Sequence, residues 1–283
     1  MILFKKTKKD EKVSLDREIK KIVEKLGLAT GYNLAKVHEY VGDENTTLKI
    51  IRSINNYAVE TAKYISEGLV NITGYKKSKD VFERVAELLS DENVISSLNE
   101  LYQYYKTHKK ESIVSDIVSI SAFCSNDSVK KLMREIKKYR AEISTSVTEN
   151  LIYVGEKVDT IENSVDLLFS EDVISSLNKL YEDYKDYYVV QSVVRIIAFS
   201  NNKNIFEKAI DVIRKYKTDA VTGVALVLQD LFEYTKNKDD IEKAMELLSD
   251  ERTIHTLNEV YEKENRIFDV YDKAKELLSL NLK

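Results

Sequence analysis

The chain has 283 residues with a formal net charge of −4, and it contains one cysteine, seven glycines and no proline. The scarcity of Pro and Gly argues against an all-β fold built on tight turns, and the acidic balance argues against a broad nucleic-acid-binding surface. A lone Cys124 excludes an intramolecular disulfide, and no apolar run approaches the roughly 20 residues that span a bilayer. We therefore expect a cytoplasmic protein without a membrane segment, of either two domains or one elongated array.

Residues 1–78 predict a basic tail followed by irregular helices. Residues 1–13 contain five lysines and little apolar surface to bury, which is typical of a flexible terminus. Apolar residues at helical spacing then predict helices over residues 14–25, 32–41 and 44–72. Glycines at the predicted helix ends act as stop signals: Gly27, Gly42 and Gly74.

One stretch of the chain, residues 88–102, recurs twice, at residues 173–181 and 253–261. The matching isoleucines are Ile95, Ile174 and Ile254, so the sequence spacings are 174 − 95 = 79 and 254 − 174 = 80. A long fixed period indicates a repeat architecture, in which each unit buries its apolar face against its neighbours.

The helices predicted within this period keep the same order in each copy. Each period of about 80 residues therefore divides into two helical units of about 40. We predict a single repeat domain over residues 14–283, with irregular units in 14–78 and regular repeats in 79–283. The predicted helices are 81–89, 95–105, 112–124, 129–139 and 144–158; then 161–168, 174–184, 188–199, 206–216 and 221–234; then 241–248, 254–261 and 267–280.

Two markedly apolar segments, residues 113–127 and 189–202, look like the third helix of an armadillo unit. Together with the period they give the chain a resemblance to armadillo/HEAT α-solenoids. The resemblance implies an all-α, right-handed solenoid of stacked helical hairpins that binds a partner on its curved face. Peptide-binding armadillo proteins place Trp and Asn one turn apart on this helix. This chain has Arg195 and Phe199 there, or Ser119 and Phe123, and it lacks the proline usual in HEAT units.

No catalytic or metal-binding constellation is evident in the sequence. The three histidines, His38, His108 and His255, stand singly and without a cysteine or a recurring aspartate beside them. Acidic pairs lie at predicted helix starts, where carboxylates complement the helix dipole, and no glycine-rich phosphate loop is present. We expect a protein that is not an enzyme and has no cofactor.

Three groups of side chains are candidates for binding. The recurring Asn99, Asn178 and Asn258 either satisfy backbone groups of a neighbouring turn or form a ladder of amides on one surface. Tyrosine is a favoured interface anchor, and several tyrosines cluster near helix ends. If the armadillo register is right, one surface carries Ser115, Ser119, Gln191 and Arg195, with Gln229 at a looser match. The candidate partner-binding residues are these five together with Tyr104, Tyr184, Tyr187 and Tyr188.

These observations favour a non-enzymatic scaffold that binds a protein partner on the curved face of a helical repeat array. One alternative is a HEAT-like nucleic-acid-binding or DNA-repair module, which requires basic residues to converge on one face. Another is a self-associating structural protein, for example a homodimer. Nucleic acid is the less favoured partner because the chain is acidic overall.

Overall fold

The structure, a computed structural model, describes residues 8–75, 78–158, 160–217, 220–235 and 237–281. Its regular structure within these ranges is helical throughout, which confirms the predicted all-α class. The chain divides into two compact units, Met1–Lys137 and Lys138–Lys283, where the sequence predicted one repeat domain over residues 14–283.

The first unit contains eight α-helices in the described residues, and a 3₁₀ helix, η1 (Ile136–Lys138), lies at its end. Helix α2 packs on α4 and α4 packs on α7, while α3 packs on α5 and α6 packs on α8. The helices are α1 (Lys8–Leu26), α2 (Leu28–Val41), α3 (Glu44–Ile54), α4 (Val59–Gly74), α5 (Lys79–Ser90), α6 (Glu92–Lys106), α7 (Ser112–Ile120) and α8 (Asn126–Glu135).

The second unit contains nine α-helices in the described residues. Helix α12 packs between α9 and α14, and α14 also packs on α17. The helices are α9 (Ala141–Gly155), α10 (Glu162–Leu168), α11 (Glu171–Tyr184), α12 (Tyr187–Ser200), α13 (Lys203–Ile213), α14 (Val221–Tyr234), α15 (Lys238–Ser249), α16 (Glu251–Glu264) and α17 (Ile267–Asn281). We call α2, α4 and α7 of the first unit, and α9, α12, α14 and α17 of the second, the row helices.

The helix order follows the sequence period. Five helices, α3 to α7, are followed by five more, α8 to α12, and by a further five, α13 to α17. Each set begins with a pair of helices, which are α3 and α4 in the first set, and continues with three more, α5, α6 and α7. The matching isoleucines of the recurring stretch lie in the second of these three helices, here α6. The predicted helix order is confirmed from residue 79 onward, with ends that differ by a few residues.

Three predicted boundaries in the first unit differ from the structure. Helix α2 begins at Leu28, four residues before the predicted start at residue 32. Helix α1 begins at Lys8, so residues 8–13 are helical although they were predicted to be part of a tail; residues 1–7 lie outside the described residues. The helix predicted over residues 44–72 is two helices, α3 and α4, because the chain turns at Asn55 and Asn56. The N–H of Asn56 bonds to the carbonyl of Ser53, three residues back, which ends the α-helical pattern.

A buried tyrosine anchors this turn and its two counterparts in the second unit. The Tyr57 hydroxyl donates to the carbonyl of Leu89, at the end of α5, over 3.0 Å. The Tyr216 hydroxyl donates to Leu248 O, at the end of α15, over 2.5 Å, and the Tyr139 hydroxyl makes the same bond to Leu168 O, at the end of α10. All three tyrosines are buried. Burial raises the pKa of each of them, so the hydroxyls remain protonated donors.

The recurring asparagines hold the residue that follows each tyrosine. Asn99 Oδ1 accepts the Ala58 N–H over 3.2 Å, Asn178 Oδ1 accepts the Arg140 N–H over 3.1 Å, and Asn258 Oδ1 accepts the Lys217 N–H over 3.2 Å. Of the two roles considered for these amides, the structure supports the satisfaction of a neighbouring turn's backbone. In each of the three corresponding turns, a tyrosine hydroxyl and an asparagine side chain therefore hold the backbone in place.

Candidate partner-binding surface

Three of the predicted surface residues are buried between helices. Ser119 Oγ donates to the carbonyl of Ser115 over 2.8 Å, and Asn71 on α4 donates to Ser119 Oγ over 3.2 Å. In the second unit Ser192 Oγ on α12 donates to Gln229 Oε1 on α14 over 3.1 Å. Ser115, Ser119 and Gln229 thus satisfy polar groups inside the packed rows, and the prediction that they line a shared exposed surface needs correction.

The predicted tyrosines lie nearer to solvent, in different settings. Tyr104 is half-buried and packs edge-on against the ring of Tyr105. Tyr184 is half-buried and its hydroxyl donates to Ile213 O over 3.4 Å, so it serves packing between α11 and α13. Tyr187 donates to the Glu149 carboxylate over 2.6 Å, and its neighbour Tyr188 is 59% exposed. Tyr188 is therefore the predicted tyrosine that is most open to a partner.

Arg195 is the predicted site residue that joins two row helices of the second unit, α12 and α9. Its Nε donates to Asn150 Oδ1 on α9 over 2.5 Å, and its guanidinium lies 4.2 Å from the ring centre of Tyr153. Phe199, one turn along α12, meets the Tyr153 ring edge to face at 6.4 Å. Gln191, one turn before Arg195 on the same side of α12, is half-buried. Sequence reasoning found Arg195 but not Asn150 and Tyr153, which complete the cluster.

A second cluster joins α9 to α14 across α12. The Tyr153 hydroxyl and the Lys157 ammonium both donate to the Glu233 carboxylate, and Lys157 Nζ also lies 4.2 Å from the Tyr153 ring centre. Neighbouring helix axes are about 8–10 Å apart, so long side chains such as Tyr, Lys and Glu can meet across one intervening helix. We call the side of α9, α12 and α14 that carries these contacts the bridged face.

The charges in this cluster are mutually stabilised. Burial raises the pKa of Glu233, whose side chain is 4% exposed, but hydrogen bonds from Lys157 and Tyr153 more than offset that effect, and the net pKa is lowered. The hydrogen bond to Glu233 raises the pKa of Lys157. Both groups are therefore charged at neutral pH, and they fix Tyr153 between α9 and α14.

The same arrangement recurs between α14 and α17. The Tyr271 hydroxyl donates to the Asp230 carboxylate, and Lys275 Nζ lies 5.3 Å from the Tyr271 ring centre. A tyrosine followed four residues later by lysine on a helix places the ammonium over the ring. This spacing is a sequence signal that was overlooked. The pairs are Tyr32–Lys36, Tyr102–Lys106, Tyr153–Lys157, Tyr181–Lys185 and Tyr271–Lys275.

The large apolar side chains that the structure shows exposed all lie on row helices. Tyr188, Tyr234 and Phe268 are 59%, 73% and 72% exposed, and they belong to three successive row helices of the second unit. Tyr188 and Phe268 are separated by one full sequence period and occupy the same position of α12 and α17. The other exposed apolar side chains, on α2 and α4 of the first unit, are Leu28, Tyr32 and Val59.

Charge on helices α9, α12 and α14 is sparse and mostly negative. Helices α9, α12 and α14 together carry four acids against one base, Arg195, a net charge of −3, and Lys157, which follows α9, is paired with Glu233. A phosphate-binding surface needs an excess of Lys and Arg. Some basic residues of the other helices form ion pairs with acids, as Lys203 of α13 does with Asp172 of α11. The four acids are Glu142, Glu149, Asp230 and Glu233.

No metal-binding group of three or more His, Cys, Asp or Glu side chains occurs among the residues that the structure describes. His255 is on α16, His38 bonds to Thr47 Oγ1 over 3.0 Å, and Cys124 is buried. Over the same described ranges, no helix combines the length and apolarity needed to cross a membrane.

The chain matches no family model, and no curated protein matches it. The class of the protein therefore rests on its geometry: an all-helical chain with recurring helices in neighbour-to-neighbour contact.

Proposed function

We propose that the protein is a non-enzymatic scaffold of the armadillo/HEAT type that binds a protein partner through its row helices. In this proposal the chain is a right-handed α-solenoid whose units have about 40 residues each. The placement of the exposed apolar side chains carries the proposal, because six of six lie on row helices. Exposed large apolar side chains can anchor a protein partner, and Tyr is enriched among residues that dominate binding energy.

The polar clusters support the same role. Bonds from Tyr153, Lys157 and Arg195 fix the surface before a partner arrives, so less conformational freedom is lost on binding. One base on α9, α12 and α14 argues against the alternative of a nucleic-acid-binding or repair module. The single, buried Cys124 fits a reducing compartment such as the cytoplasm.

The test compares affinity capture by three versions of the full chain. The first is the wild type, and the second replaces Tyr188, Tyr234 and Phe268 with alanine. The third is a control outside the row helices, His255→Ala, which removes an exposed ring from α16. We expect that a partner protein is captured by the wild type and by the control, and that the triple variant does not capture it.

Two results would overturn the proposal. One is capture of the same proteins by all three versions, because the second unit's row helices would then contribute nothing. The other is tight, salt-dependent binding of a labelled duplex DNA or single-stranded RNA by the wild type, which would favour the nucleic-acid module. Light scattering over a range of concentrations tests self-association separately.

A further inference from the structure

Arg195 carries two terminal amino groups for which the described part of the chain supplies no partner. Its Nε donates to Asn150 Oδ1 over 2.5 Å and its Cζ lies 4.2 Å from the Tyr153 ring centre, but Nη1 and Nη2 bond to no described group. None of the described carboxylates forms an ion pair with it. The structure describes every residue within four positions of these three side chains along the sequence. Half-buried charged groups are normally paired, so this guanidinium points to an acceptor on a partner molecule.

The guanidinium is held in place by its neighbours. Asn150 is 1% exposed, and its Nδ2 donates to the Ser146 carbonyl over 2.7 Å, which fixes the oxygen that Arg195 uses. The Tyr153 ring is fixed in turn by the bond from its hydroxyl to the Glu233 carboxylate. Because Nε is bonded and one face of the guanidinium is stacked, the edge that carries Nη1 and Nη2 keeps a fixed direction. That edge donates two parallel N–H bonds, the geometry that matches the two oxygens of a carboxylate.

Two carboxylates on the bridged face are already bonded, and they limit the charge of the ligand. Glu149 of α9 accepts the Tyr187 hydroxyl over 2.6 Å, and Glu233 of α14 accepts the Lys157 ammonium. These two acids balance Lys157 and Arg195, so net charge gives no preference for an anion, and the preference comes from the unpaired Nη donors. A ligand with one negative charge is favoured over a phosphate group, which carries close to two and is repelled more strongly by both carboxylates.

Two glutamines on the same face also present donors. Gln229 is 7% exposed; its Oε1 accepts a bond from Ser192, and its Nε2 donates to no described group. Gln191 is half-buried, and neither end of its amide bonds to a described group. Gln191 stands one turn before Arg195 on α12, and Gln229 one turn before Glu233 on α14, so both lie on the bridged face. Buried amide N–H groups need acceptors, so this face suits a ligand with oxygen acceptors better than a cationic one.

The stripe of side chains along α12 extends on both sides of Arg195. Tyr188, Gln191, Arg195 and Phe199 follow one another at spacings of three and four residues, so they share one face of the helix. A surface that continues in both directions fits a residue within a passing segment better than the end of a chain. Tyr188 and Arg195 are seven residues apart, about 10.5 Å along the helix, and three residues of an extended segment span that distance at roughly 3.3 Å each.

We propose that Arg195 binds the side-chain carboxylate of an acidic residue in an extended segment of a protein partner, through Nη1 and Nη2. An apolar residue three positions away in the same segment packs on the exposed ring of Tyr188. This inference rests on the proposed scaffold role and names the chemistry that the partner presents to α12.

The experiment titrates peptides into the full chain labelled with ¹⁵N in its arginine side chains and follows the Nε–H signals by NMR. The probe is a heptapeptide with blocked ends, glutamate at its centre, leucine at both ends and alanine elsewhere, so that it fits in either direction. One matched peptide has glutamine at the centre, and another has alanine at the centre and a free C-terminal carboxylate. Inorganic phosphate at equal ionic strength is the fourth ligand. The signal of Arg195 is the one missing from Arg195→Lys.

The internal control is Arg52 of α3, an exposed arginine that bonds to no described group. Its signal is the one missing from Arg52→Lys. Affinity capture is repeated with Arg195→Gln and Arg52→Gln, and circular dichroism checks that each variant keeps its helix content. The peptide comparison uses the wild-type chain, so it stands even if a variant does not fold.

We expect the Arg195 signal to shift and saturate with the glutamate peptide, with a Kd on the order of 10 mM, the magnitude for one charge-assisted contact. The glutamine peptide should bind at least about tenfold more weakly, because its amide offers one oxygen and no charge. The response of Arg52 should be at least about fivefold weaker, because no described neighbour holds its guanidinium in place. Arg195→Gln should no longer capture the partner, whereas Arg52→Gln should capture it.

Failure of this proposal is distinguishable from failure of the scaffold role. The carboxylate assignment is overturned if the glutamine peptide binds as well as the glutamate peptide, or if Arg52 responds as strongly as Arg195. It is also overturned if phosphate or the free C-terminus binds more tightly than the glutamate peptide. If capture is nevertheless lost with the Tyr188, Tyr234 and Phe268 triple variant, the scaffold role stands and the partner has another chemistry. If capture is unchanged in that variant and in Arg195→Gln, both proposals are overturned.

Discussion

The anchoring tyrosines allow a quantitative test of how the repeat is held together, and Tyr216→Phe is the most direct. The change removes one oxygen from a buried side chain and leaves the Leu248 carbonyl, its partner over 2.5 Å, without that donor. Leaving a buried polar group unsatisfied costs about 1–3 kcal/mol, while the phenyl ring preserves the packing. We therefore expect the free energy of unfolding to fall by about 1–3 kcal/mol.

Urea unfolding followed by circular dichroism at the helix band measures this loss, since the chain contains no tryptophan. With a slope of about 2 kcal/mol per molar urea, the midpoint of the transition that reports the second unit shifts down by about 0.5–1.5 M. The matched control is Tyr184→Phe, because Tyr184 is half-buried and its bond to Ile213 O is 3.4 Å long. We expect a smaller shift there.

An unchanged midpoint in Tyr216→Phe, with an unchanged slope, would refute the reasoning. It would mean that the Leu248 carbonyl finds water or another donor at no cost, and that the recurrence of the buried tyrosine reflects ring packing alone. A loss equal to that of Tyr184→Phe would contradict the link between burial and magnitude.

Three further predictions concern close helix packing, charge and the asparagine anchors. A methyl group at Gly68 would lie 2.5 Å from a carbonyl oxygen of α7, so Gly68→Ala should cost about 1–3 kcal/mol in thermal unfolding, whereas Gly74→Ala, with open space around it, should be neutral or slightly stabilising. Because the pKa of Glu233 is lowered in the folded state, the stabilisation that its charge provides is complete above the ordinary pKa of glutamate, about 4.5. This stabilisation is lost as the pH falls through the folded-state pKa. Glu233→Gln should therefore reduce the loss of stability below about pH 4.5, as measured by the melting temperature over an acid titration. Asn258→Ala should raise the hydrogen-exchange rate of the Lys217 amide about 2- to 10-fold, and protection equal to wild type would show that the amide has another acceptor.

Several parts of the candidate surface could have been predicted from the sequence. Arg195 was predicted as a partner-binding residue from the resemblance of its helix to the third helix of an armadillo unit. The Tyr–Lys spacing that marks Tyr153 with Lys157 is also visible in the sequence, since a separation of four residues on a helix brings side chains together.

The carboxylate partners could not have been predicted. Glu233 is 80 residues from Tyr153 in sequence, and the two meet only because α9 and α14 pack on opposite sides of α12. Ser115 and Ser119 were predicted on a binding surface but are buried, for a related reason. A small polar residue on an apolar helix is equally compatible with an exposed face and with a buried hydrogen bond to the next helix. Here Asn71 of α4 donates such bonds to both serines.

The sequence by itself determined the helical class, the period and most helix positions from residue 79 onward, because apolar spacing and helix caps act over a few residues and repeat unchanged. Asp91 and Asp250, for example, cap α6 and α16 through local bonds to the following N–H groups. Tertiary structure decided the break between α3 and α4, the role of the recurring asparagines and the contacts that join α9, α12 and α14. Each of these depends on partners far away in the sequence, such as Leu89 for Tyr57 and Glu233 for Tyr153, and only packing brings such partners within hydrogen-bonding distance.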